Sequence, residues 1–567
     1  MADSAAAETD VSALSRRARL RQIVRRTASV LAFVIVWFAL VVPNRLEQLT
    51  PGAFIEIPIE GLIVVGIGLL LPPRPRQVLA AVAGLLLGLL VVVKVLDVGF
   101  YEELDRPFNP VIDWGNLGPA LGVVQDSIGR FWADTAAVFA LLFVIAIVVV
   151  VTWAVMRMSR ISAGHRGTAA RSIGALAVVW IVLAGLGVAV VSGKPVASRS
   201  TTALAVDQVR AAGAAVKDQA KFESALVRKD SFSKASSANL LAGLRGKDVI
   251  FAFVESYGQV AVQGSTLSPG VDSVLKAGTA TLDAAGYSSR SAFLTSPTFG
   301  GISWLAHSTF QSGLWINNQQ RYNQLVDSKR FTLSDAFDRA GWRTVGDVPS
   351  NTGPWPEGTS FYHYDKLYDA HNVGYAGPKF SYAAMPDQYI LSAFQKMELT
   401  ANHPPVMAEI DLVSSHTPWT PLPRMVAWNA VGNGSIFNGM PQQGPSPSAV
   451  WPNAKKVRAT YGKSVQYSMN ALISFVTNLH DDNLVLVLMG DHQPATIVTG
   501  PNASHEVPIS IIAHDPKVMA SISSWNWQDG LLPDPHAPVW PMDAFRNRFL
   551  TAFDQPATSK VAAARGR

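Results

Sequence analysis

The sequence contains no cysteine among its 567 residues. Disulfide bonds, cysteine-ligated metal sites and a thiolate nucleophile are therefore all excluded. Charged residues are also scarce, since Asp, Glu, Lys and Arg make up 16% of the chain, whereas hydrophobic residues make up 49%. This balance is too apolar for a wholly soluble protein of ordinary composition. The excess of apolar residues lies in the first third of the chain.

That excess forms five apolar runs separated by polar loops, and these runs predict membrane-spanning helices. They cover residues 28–43, 59–72, 78–98, 135–156 and 173–192. Three of the runs reach about twenty residues, the length that crosses a bilayer as an α-helix. The second run is short, and a buried helix is the alternative for any run taken alone. The pattern predicts an N-terminal α-helical membrane bundle of five spans over residues 28–193, preceded by a basic tail over residues 1–27.

The arginines of the polar loops predict the orientation of these helices. They cluster before the first run, between the second and third, and between the fourth and fifth, as Arg16, Arg17, Arg19, Arg21, Arg25, Arg26, Arg74, Arg76, Arg157, Arg160, Arg166 and Arg171. The positive-inside rule places the N-terminus in the cytoplasm, and five spans then place the chain after residue 193 outside. A cleaved signal peptide is the alternative for the first run, but no small-residue cleavage site follows it. The formal charge of +6 owes much to these loops and does not indicate nucleic-acid binding.

The rest of the chain predicts a linker and an α/β domain. Residues 194–245 are polar and predict a linker with a helix over Ala203–Val227. Strands are predicted at Val249–Val254, Ser289–Leu294, Thr344–Val348, Val406–Leu412, Leu484–Met489 and Val507–Ile512. Helices are predicted at Val271–Ala285, Ser303–Leu314, Thr332–Ala340, Asp387–Leu399 and Arg458–Leu479. This alternation predicts an α/β sandwich around a central, mostly parallel sheet over residues 246–555.

Two segments of this region lack a clear period. Residues 421–455 are rich in Pro, Gly, Asn and Ser, and they predict a long loop that is disordered or forms a rim over the site. Residues 556–567 are predicted to be a flexible tail.

A serine follows two glycines at the predicted start of a helix, in the segment Gly300-Gly301-Ile-Ser303. Glycines let the chain approach a ligand closely, and a helix N-terminus favours an anion. Ser303 is therefore predicted to be an oxygen nucleophile against an anionic ester, with a simple tight turn as the alternative. His307 lies one helical turn later. We predict that His307 and the adjoining Trp304 contact the substrate.

Polar side chains follow two of the predicted strands. Glu255 ends one apolar run, and Asp491-His492 follow another. A half-buried carboxylate needs a cation or a hydrogen-bond donor, and active residues in α/β folds lie at the carboxyl ends of strands. Carboxylate and imidazole ligands suit Mn²⁺, Zn²⁺ or Mg²⁺ and suit Ca²⁺ less. We predict one divalent ion, Mn²⁺ by preference, held by these three side chains with Ser303 completing the shell. A helix cap is the alternative for Glu255, and a structural turn residue for Asp491.

Two further histidines lie beside predicted strands. His416 follows the strand that ends at Leu412, and His505 precedes the last strand. An imidazole at this edge binds a phosphate oxygen or protonates a leaving group. We predict these roles for His416, and substrate binding for His505. A surface histidine is the alternative for each.

With these residues in place, the region over about 247–515 resembles the sulfatase and alkaline phosphatase superfamily. The whole chain is similar to its membrane phosphoglycerol transferases of the lipoteichoic acid synthase type. That family uses an acid after the first strand, a nucleophile at the start of a helix, and a late Asp-His pair. The matching residues are Glu255, Ser303, Asp491 and His492. His416 matches the substrate-side histidine of the family, and His505 a late basic residue.

The nucleophile segment departs from the family in two ways. Sulfatases carry Pro two residues and Arg four residues after the nucleophile, where this chain has Leu305 and His307. The signature for oxidation to formylglycine is therefore absent, although Ser312-Gly313 match the later Thr-Gly of that motif. The synthases usually carry Thr instead of Ser, so Thr298 is the alternative nucleophile.

The resemblance implies a metal-dependent membrane phosphotransferase. It would move a phospholipid headgroup of the phosphoglycerol type from a membrane lipid, through a serine-linked intermediate, to a cell-envelope glycan or polymer. It implies a multi-pass protein of the bacterial plasma membrane with its catalytic domain outside. An extracytoplasmic sulfatase or phosphodiesterase with the same residues is the first alternative. An inactive, sulfatase-like envelope scaffold is the second.

Overall fold

The computed structural model of the protein describes residues 2–191 and 194–554. The predicted tail over 556–567 lies outside these residues. The chain divides into two compact units. The first, which we call the helical unit, comprises Met1–Tyr101, Arg106–Val111 and Ala120–Ala215. The second, the sheet unit, comprises Glu102–Asp105, Ile112–Pro119 and Val216–Arg567.

Long helices dominate the first 226 residues. They are α1 (Ala2–Val41), α2 (Ile59–Leu70), α3 (Pro73–Leu104), α4 (Leu117–Ile128), α5 (Arg130–Gly164), α6 (Arg166–Gly185) and α7 (Ser200–Leu226). Four very short strands lie among them, namely β1 (Ile57–Pro58), β2 (Ala189–Val191), β3 (Lys194–Pro195) and β4 (Ala197–Ser198). The predicted linker helix over Ala203–Val227 corresponds to α7.

Among the described residues, four helical segments are long and apolar enough to cross a membrane. They are Arg19–Val41, Pro73–Leu104, Arg130–Gly164 and Arg166–Gly185. The second predicted span instead forms α2, which has 12 residues. At 1.5 Å per residue α2 is about 18 Å long, against a hydrocarbon core of about 30 Å. By length the structure therefore supports four of the five predicted spans.

Two glycines of α3 allow it to pack closely against α5. A Cβ added at Gly84 would lie 2.8 Å from Cα of Thr152, and one added at Gly88 would lie 3.0 Å from Cα of Val148. Glycines four residues apart are a usual device for close helix packing in membranes, where lipid tails are as apolar as leucine. Close contact between the two backbones, rather than removal of apolar surface from water, therefore stabilises the packing of α3 against α5.

The sheet unit is built on nine strands. They are β5 (Asp248–Val254), β6 (Ser288–Thr295), β7 (Arg343–Asp347), β8 (Lys366–Tyr368), β9 (Val406–Leu412), β10 (Leu484–Gly490), β11 (Glu506–Ala513), β12 (Gln528–Asp529) and β13 (Val539–Pro541). Their order is β12-β6-β11-β10-β5-β9-β7-β8, with β13 paired to β6. The adjacent strands β10, β5, β9, β7 and β8 are parallel, whereas β11 is antiparallel to both neighbours. The sheet is thus mixed, with a parallel half.

Helices cover both faces of this sheet. The helices after residue 226 are α8 (Ser268–Ala284), α9 (Ser303–Ser312), α10 (Gln319–Val326), α11 (Leu333–Ala340), α12 (Glu357–Ser360), α13 (Asp387–Glu398), α14 (Met440–Gln443), α15 (Pro447–Val450), α16 (Ala454–Leu479), α17 (Thr496–Thr499), α18 (Pro516–Ser521) and α19 (Met542–Phe553). Alternate residues of β5 enter opposite cores, because successive side chains of a strand point to opposite faces. Ile250 and Ala252 pack with α8, α13 and α16, while Phe251 and Phe253 pack with α9, α11 and α19.

The predicted loop over 421–455 is more ordered than expected. It contains α14 and α15 and two short 3₁₀ turns. Four of its apolar side chains, Val431, Phe437, Met440 and Val450, are buried in the core that also holds Ile250. A disordered segment would not bury such side chains, so this part of the prediction was wrong.

Candidate active site

The parallel half of the sheet brings the predicted acids to one edge. Strands β5 and β10 run side by side in register, with Val254 opposite Gly490. Glu255 directly follows β5, and Asp491 directly follows β10. Because parallel strands end at the same edge, these two carboxylates are neighbours in space. Strand β9 lies on the other side of β5 and leads to His416.

Helix α9 places the predicted nucleophile against these acids. Ser303 is its first residue, and its Oγ donates to Glu255 Oε2 at 3.1 Å. The same Oγ lies 3.2 Å from Nε2 of His492. The hydroxyl of Thr298, the alternative nucleophile, donates to the carbonyl of Gly301 at 2.6 Å. Of the two hydroxyls, it is Ser303 that lies beside the predicted ligands.

The backbone just before Ser303 is strained. Ile302 has φ 65° and ψ 45°, in the left-handed region, and no side chain caps the helix that follows. A β-branched residue rarely adopts this conformation, and such strain concentrates at functional sites. The uncapped first N–H groups of α9 leave the positive end of its dipole available to an anion.

The ring orientation of His492 is fixed by a hydrogen bond from Nδ1, which leaves Nε2 directed at the two carboxylates. Its Nδ1 lies 2.7 Å from the carbonyl oxygen of Gln493. Since a carbonyl can only accept, Nδ1 carries the hydrogen, and Nε2 keeps its lone pair in the neutral imidazole. Nε2 is 3.4 Å from Oε1 of Glu255 and 3.4 Å from Oδ2 of Asp491. A metal-bound histidine is usually held in this way.

Asp491 is held equally firmly. Its Oδ1 accepts from the backbone N–H groups of Ser256 at 2.8 Å and His492 at 2.7 Å. Burial and the charge of Glu255 together raise the pKa of Asp491 to about 6. Ligand atoms of Glu255, Asp491 and His492 all lie within 4.8 Å of one another. Two carboxylates and an imidazole in this geometry fit a divalent cation, whose charge would offset their mutual repulsion.

A second polar cluster lies behind the nucleophile. Nδ1 of His307 is 3.0 Å from Oε1 of Glu409 and 3.4 Å from Oδ1 of Asp411. Its ring stacks on Phe253, with centroids 3.9 Å apart. Burial alone lowers the pKa of His307, but Asp411 and Glu409 raise it to about 9. His307 is therefore a buried cation one helical turn below Ser303.

Glu409 and Asp411 were missed by the sequence analysis. Both lie inside β9, in which the last four residues alternate between acidic and apolar, as Glu409, Ile410, Asp411 and Leu412. Glu409 also accepts from the Tyr364 hydroxyl at 3.0 Å and from Gln311 of α9. Two acids spaced two residues apart on one face of a buried strand indicate a buried cation partner, and this signal was available in the sequence.

His416 lies at the edge of the site in its neutral form. Its ring stacks on Tyr382 with centroids 3.7 Å apart, and its Nδ1 lies 2.6 Å from the carbonyl of Thr417. Burial lowers the pKa of His416 to about 4. Nδ1 carries the hydrogen, so Nε2 is a proton acceptor. In this state His416 is better suited to take a proton than to give one.

The remaining predicted residues, His505 and Trp304, make contacts within the protein. The carbonyl of His505 accepts from the N–H of Ser296 at 2.8 Å, and burial lowers the pKa of its imidazole. Its ring lies 5.3 Å from that of Phe299, in the loop before Ser303. The indole N–H of Trp304 donates to Gln319 at 2.8 Å. His505 thus supports the nucleophile loop, and Trp304 anchors the start of α9.

No family model matches the chain, and no curated protein matches it. Solved structures do show similarity. The lipoteichoic acid synthase LtaP from Listeria monocytogenes is 14% identical, over 60% of this chain and 78% of its own, with a TM-score of 0.33. The phosphoglycerol transferase GacH from Streptococcus pyogenes, in complex with sn-glycerol-1-phosphate, is 12% identical over 60% and 80%, with a TM-score of 0.36.

A third structure is similar along almost the whole chain. It is the integral membrane lipooligosaccharide phosphoethanolamine transferase A from Neisseria meningitidis, 12% identical over 92% of this chain and 95% of its own, with a TM-score of 0.43. The likeness is distant, and the function of this chain has to be argued from its own residues.

Proposed function

We propose that the protein is a metal-dependent membrane phosphotransferase that moves a phospholipid headgroup through a covalent Ser303 intermediate. The observation that carries this proposal is the position of the Ser303 hydroxyl. It lies at the start of α9, 3.1 Å from a carboxylate oxygen of Glu255 and 3.2 Å from Nε2 of His492. A hydroxyl placed between a base and a helix N-terminus is activated as a nucleophile and faces a site that favours anions.

Glu255, Asp491 and His492 are the residues that would hold the metal, with Ser303 as the fourth. We propose Mn²⁺ by preference, because the donors are two carboxylates and one imidazole, with Mg²⁺, Zn²⁺ or Ca²⁺ as alternatives. A divalent ion bound there would lower the pKa of the Ser303 hydroxyl and neutralise charge on the transferred group. The sequence offers no thiolate ligands to compete with this set.

In the first step, Ser303 gives its proton to Glu255, the nearest carboxylate. The Oγ–phosphorus bond forms while the bond from phosphorus to the lipid glycerol oxygen breaks. The leaving oxygen takes a proton from His416. This imidazole is neutral in the free protein, and it takes up a proton from water on Nε2 when the lipid binds, because the adjacent anionic phosphate raises its pKa. The product of the step is a phosphodiester on Ser303 and a released diacylglycerol.

In the second step, a hydroxyl of an envelope glycan or polymer attacks the phosphodiester. His416 takes the proton of that hydroxyl through Nε2, the acceptor nitrogen of its neutral ring. The acceptor oxygen bonds to phosphorus while the bond to Ser303 breaks, and Oγ recovers its proton from Glu255. Glu255 is then unprotonated again, and His416 carries the same proton as at the start of the first step, which it returns to water when the product leaves. We propose a phosphoglycerol-type headgroup as donor, and hydrolysis is the outcome if water replaces the acceptor.

We further propose that the sheet unit lies outside the cytoplasm of a bacterial cell. The arginine bias supports a cytoplasmic N-terminus. The side on which the sheet unit lies then depends on whether α2 crosses the bilayer with the four longer helices. Reporter fusions test this, because an alkaline phosphatase fused near residue 230 should be active and one near residue 165 silent. The reverse pattern would overturn the location.

Mass spectrometry of the Ser303 peptide tests the reaction. Protein reconstituted with labelled phosphatidylglycerol and quenched before acceptor is added should carry a glycerophosphoryl group on Ser303. Ser303→Ala should carry none, while the matched variant Thr298→Ala should still be labelled. Label on Thr298, formylglycine at residue 303, or faster turnover of an aryl sulfate than of the lipid would contradict the proposal.

A further inference from the structure

The helical unit contains a cavity of about 550 Å³ that runs along α2. Helices α1, α3, α5 and α7 supply its other walls, and most of its lining is Val, Leu and Ala. The cavity arises because α2 is short and presents glycine towards it. A Cβ at Gly68 would meet only Cγ of Arg76, at 3.8 Å, and one at Gly61 would meet only Leu40, at 3.2 Å. Because these glycines have no side chain, the cavity forms a groove along α2, which is about 18 Å long.

One end of this groove carries an unsatisfied charge. Glu60, at the start of α2, lines the cavity, and its Oε1 accepts from the N–H of Thr202 at 2.7 Å. Its Oε2 is buried and has no hydrogen-bond partner among the described residues. A buried carboxylate oxygen without a donor is costly, so the position calls for a donor from outside the chain.

The charged residues around Glu60 indicate that this donor is a cation. Oε2 of the nearby Glu56 is also buried and unpartnered within the part of the chain that the structure describes. Lys94 donates to the carbonyl oxygens of Ala39 and Leu40, at 3.0 and 3.2 Å. Lys94 also interacts electrostatically with both Glu60 and Glu56, so two carboxylates share one ammonium group. Arg210, two helical turns after Thr202 on α7, also lines the cavity and is well exposed, in a loose pair with Asp207 at 3.7 Å.

We propose that this cavity is a binding site for one aminophospholipid, a glycerophospholipid whose headgroup carries a primary ammonium and a phosphate. One acyl chain lies along α2 over Gly61 and Gly68. The ammonium donates to Oε2 of Glu60, and the phosphate pairs with Arg210. The proposal concerns binding alone and does not depend on the transfer reaction or on which lipid is the donor.

The headgroup, rather than the acyl chain, gives this site its selectivity. Lipid tails are as apolar as the walls of the groove, so an acyl chain gains little on leaving the bilayer. A charge-assisted hydrogen bond to Oε2 of Glu60 should be strong, because without the lipid this carboxylate oxygen has no hydrogen-bond donor among the described residues. Phosphatidylcholine, whose ammonium has no hydrogen to donate, should therefore bind poorly although its tails are the same.

Lipid retention tests this site in the full-length chain. Ser303→Ala protein is placed in nanodiscs of equal phosphatidylethanolamine, phosphatidylglycerol and phosphatidylcholine, so that no lipid is consumed. After extraction, native mass spectrometry should find one retained lipid, phosphatidylethanolamine, about tenfold in excess over phosphatidylcholine. A diazirine on its acyl chain should label residues that line the cavity, such as Met158.

Two variants and a matched control separate the groove from the headgroup contact. Gly68→Leu fills the groove and should remove the retained lipid. Gly66→Leu makes the same change on the same helix, where a Cβ has no neighbour within 4 Å, and should retain the lipid. Glu60→Gln keeps an acceptor for Thr202 and removes the charge, so it should lower the preference for phosphatidylethanolamine about tenfold.

Several results would overturn the proposal. One is equal retention in Gly68→Leu and Gly66→Leu, and another is no retained lipid in the parent protein. A preference for phosphatidylglycerol that Arg76→Gln removes would place the headgroup at the opposite end. If Gly68→Leu fails to fold, Glu60→Gln decides, because it changes no volume, and an unchanged lipid preference in that variant would refute the headgroup contact.

Discussion

The helical unit and the sheet unit use the same apolar residue types in opposite ways. In the helical unit, none of the apolar window of Arg166–Gly185 is buried, and only 11% of that of Arg130–Gly164. In the sheet unit, every residue of β5 and of β10 is buried. Outward-facing leucine and valine are stable when the surroundings are lipid, and inward-facing ones when the surroundings are water. The difference shows which solvent each unit is built for.

The interactions that stabilise the helical unit differ accordingly from those that stabilise the sheet unit. Removal of apolar surface from water stabilises the sheet unit, at about 25 cal/mol per Å². That term is absent between helices in lipid, so close packing such as that of Gly84 against α5 takes its place. The polar side chains of the candidate site lie together at one edge of the parallel strands of the sheet unit.

The largest effect should come from the polar edge. Ser303→Ala should lower headgroup transfer about ten-thousandfold or more, because the variant has no oxygen to form the intermediate. It should leave the thermal unfolding curve nearly unchanged, since the side chain is small and only partly buried. Turnover of a fluorescent phospholipid measures the loss, with Thr298→Ala as the control. Full activity in Ser303→Ala would refute the proposal that Ser303 is the nucleophile.

A matched pair of phenylalanines tests the comparison between the units directly. Phe251 is 0% exposed in the sheet unit, and Phe139 is 67% exposed on α5. Phe251→Ala should cost about 4 kcal/mol of unfolding free energy, the usual loss for a buried phenylalanine. Phe139→Ala should cost much less in bilayers, because its ring faces lipid in both variants. Unfolding followed by tryptophan fluorescence gives both values, and equal losses would contradict the contrast.

The buried His307 cation should make stability depend on alkaline pH. Its folded pKa of about 9 lies above the ordinary 6.5. Its contribution is therefore fully present below about pH 6.5 and is lost as the pH rises through 9, by about 3 kcal/mol at most. Melting temperatures of the wild type and His307→Gln should converge between pH 7 and 10. Parallel curves over that range would show that His307 is not charged.

The metal ligands offer the smallest of these effects. Asp491→Asn keeps the shape of the side chain but removes its charge. We expect metal affinity to fall about a hundredfold, at least the loss seen for residues that only support a ligand. Elemental analysis after dialysis against a chelator measures this. Asp283→Asn is a suitable control, since Asp283 is an exposed carboxylate near the C-terminal end of α8 and is not part of the ligand cluster. Unchanged metal content in Asp491→Asn would refute the site.

The strands that carry the site could be predicted because each is a short apolar run followed by a polar residue. The β9 boundaries agree in full, and those of β5 and β10 agree within one residue. Glu255, Asp491 and His492 follow from the same pattern. The antiparallel direction of β11 also had a signal, because the connection from β10 contains only the four-residue helix α17. A parallel crossover needs a dozen or more residues and usually a full helix.

Other features depend on contacts that a local pattern does not contain. Glu409 meets His307 across 102 positions of sequence. The edge strands β8, β12 and β13 have two or three residues each, too short for a visible period. Helix α2 looks like a span by composition and differs only in length. Residues 421–455 look like a loop by composition, yet the core below them buries four of their side chains.

One carbonyl oxygen joins the two halves of the catalytic edge. The carbonyl of Gln493 accepts from Nδ1 of His492 at 2.7 Å and from the N–H of Gly300 at 2.9 Å. The ligand loop and the nucleophile loop therefore share a single anchor, and neither can be displaced alone. In evolutionary terms, related proteins should exchange the nucleophile by substitution at position 303. Insertions or deletions between Gly300 and Ser303 should be absent from active members.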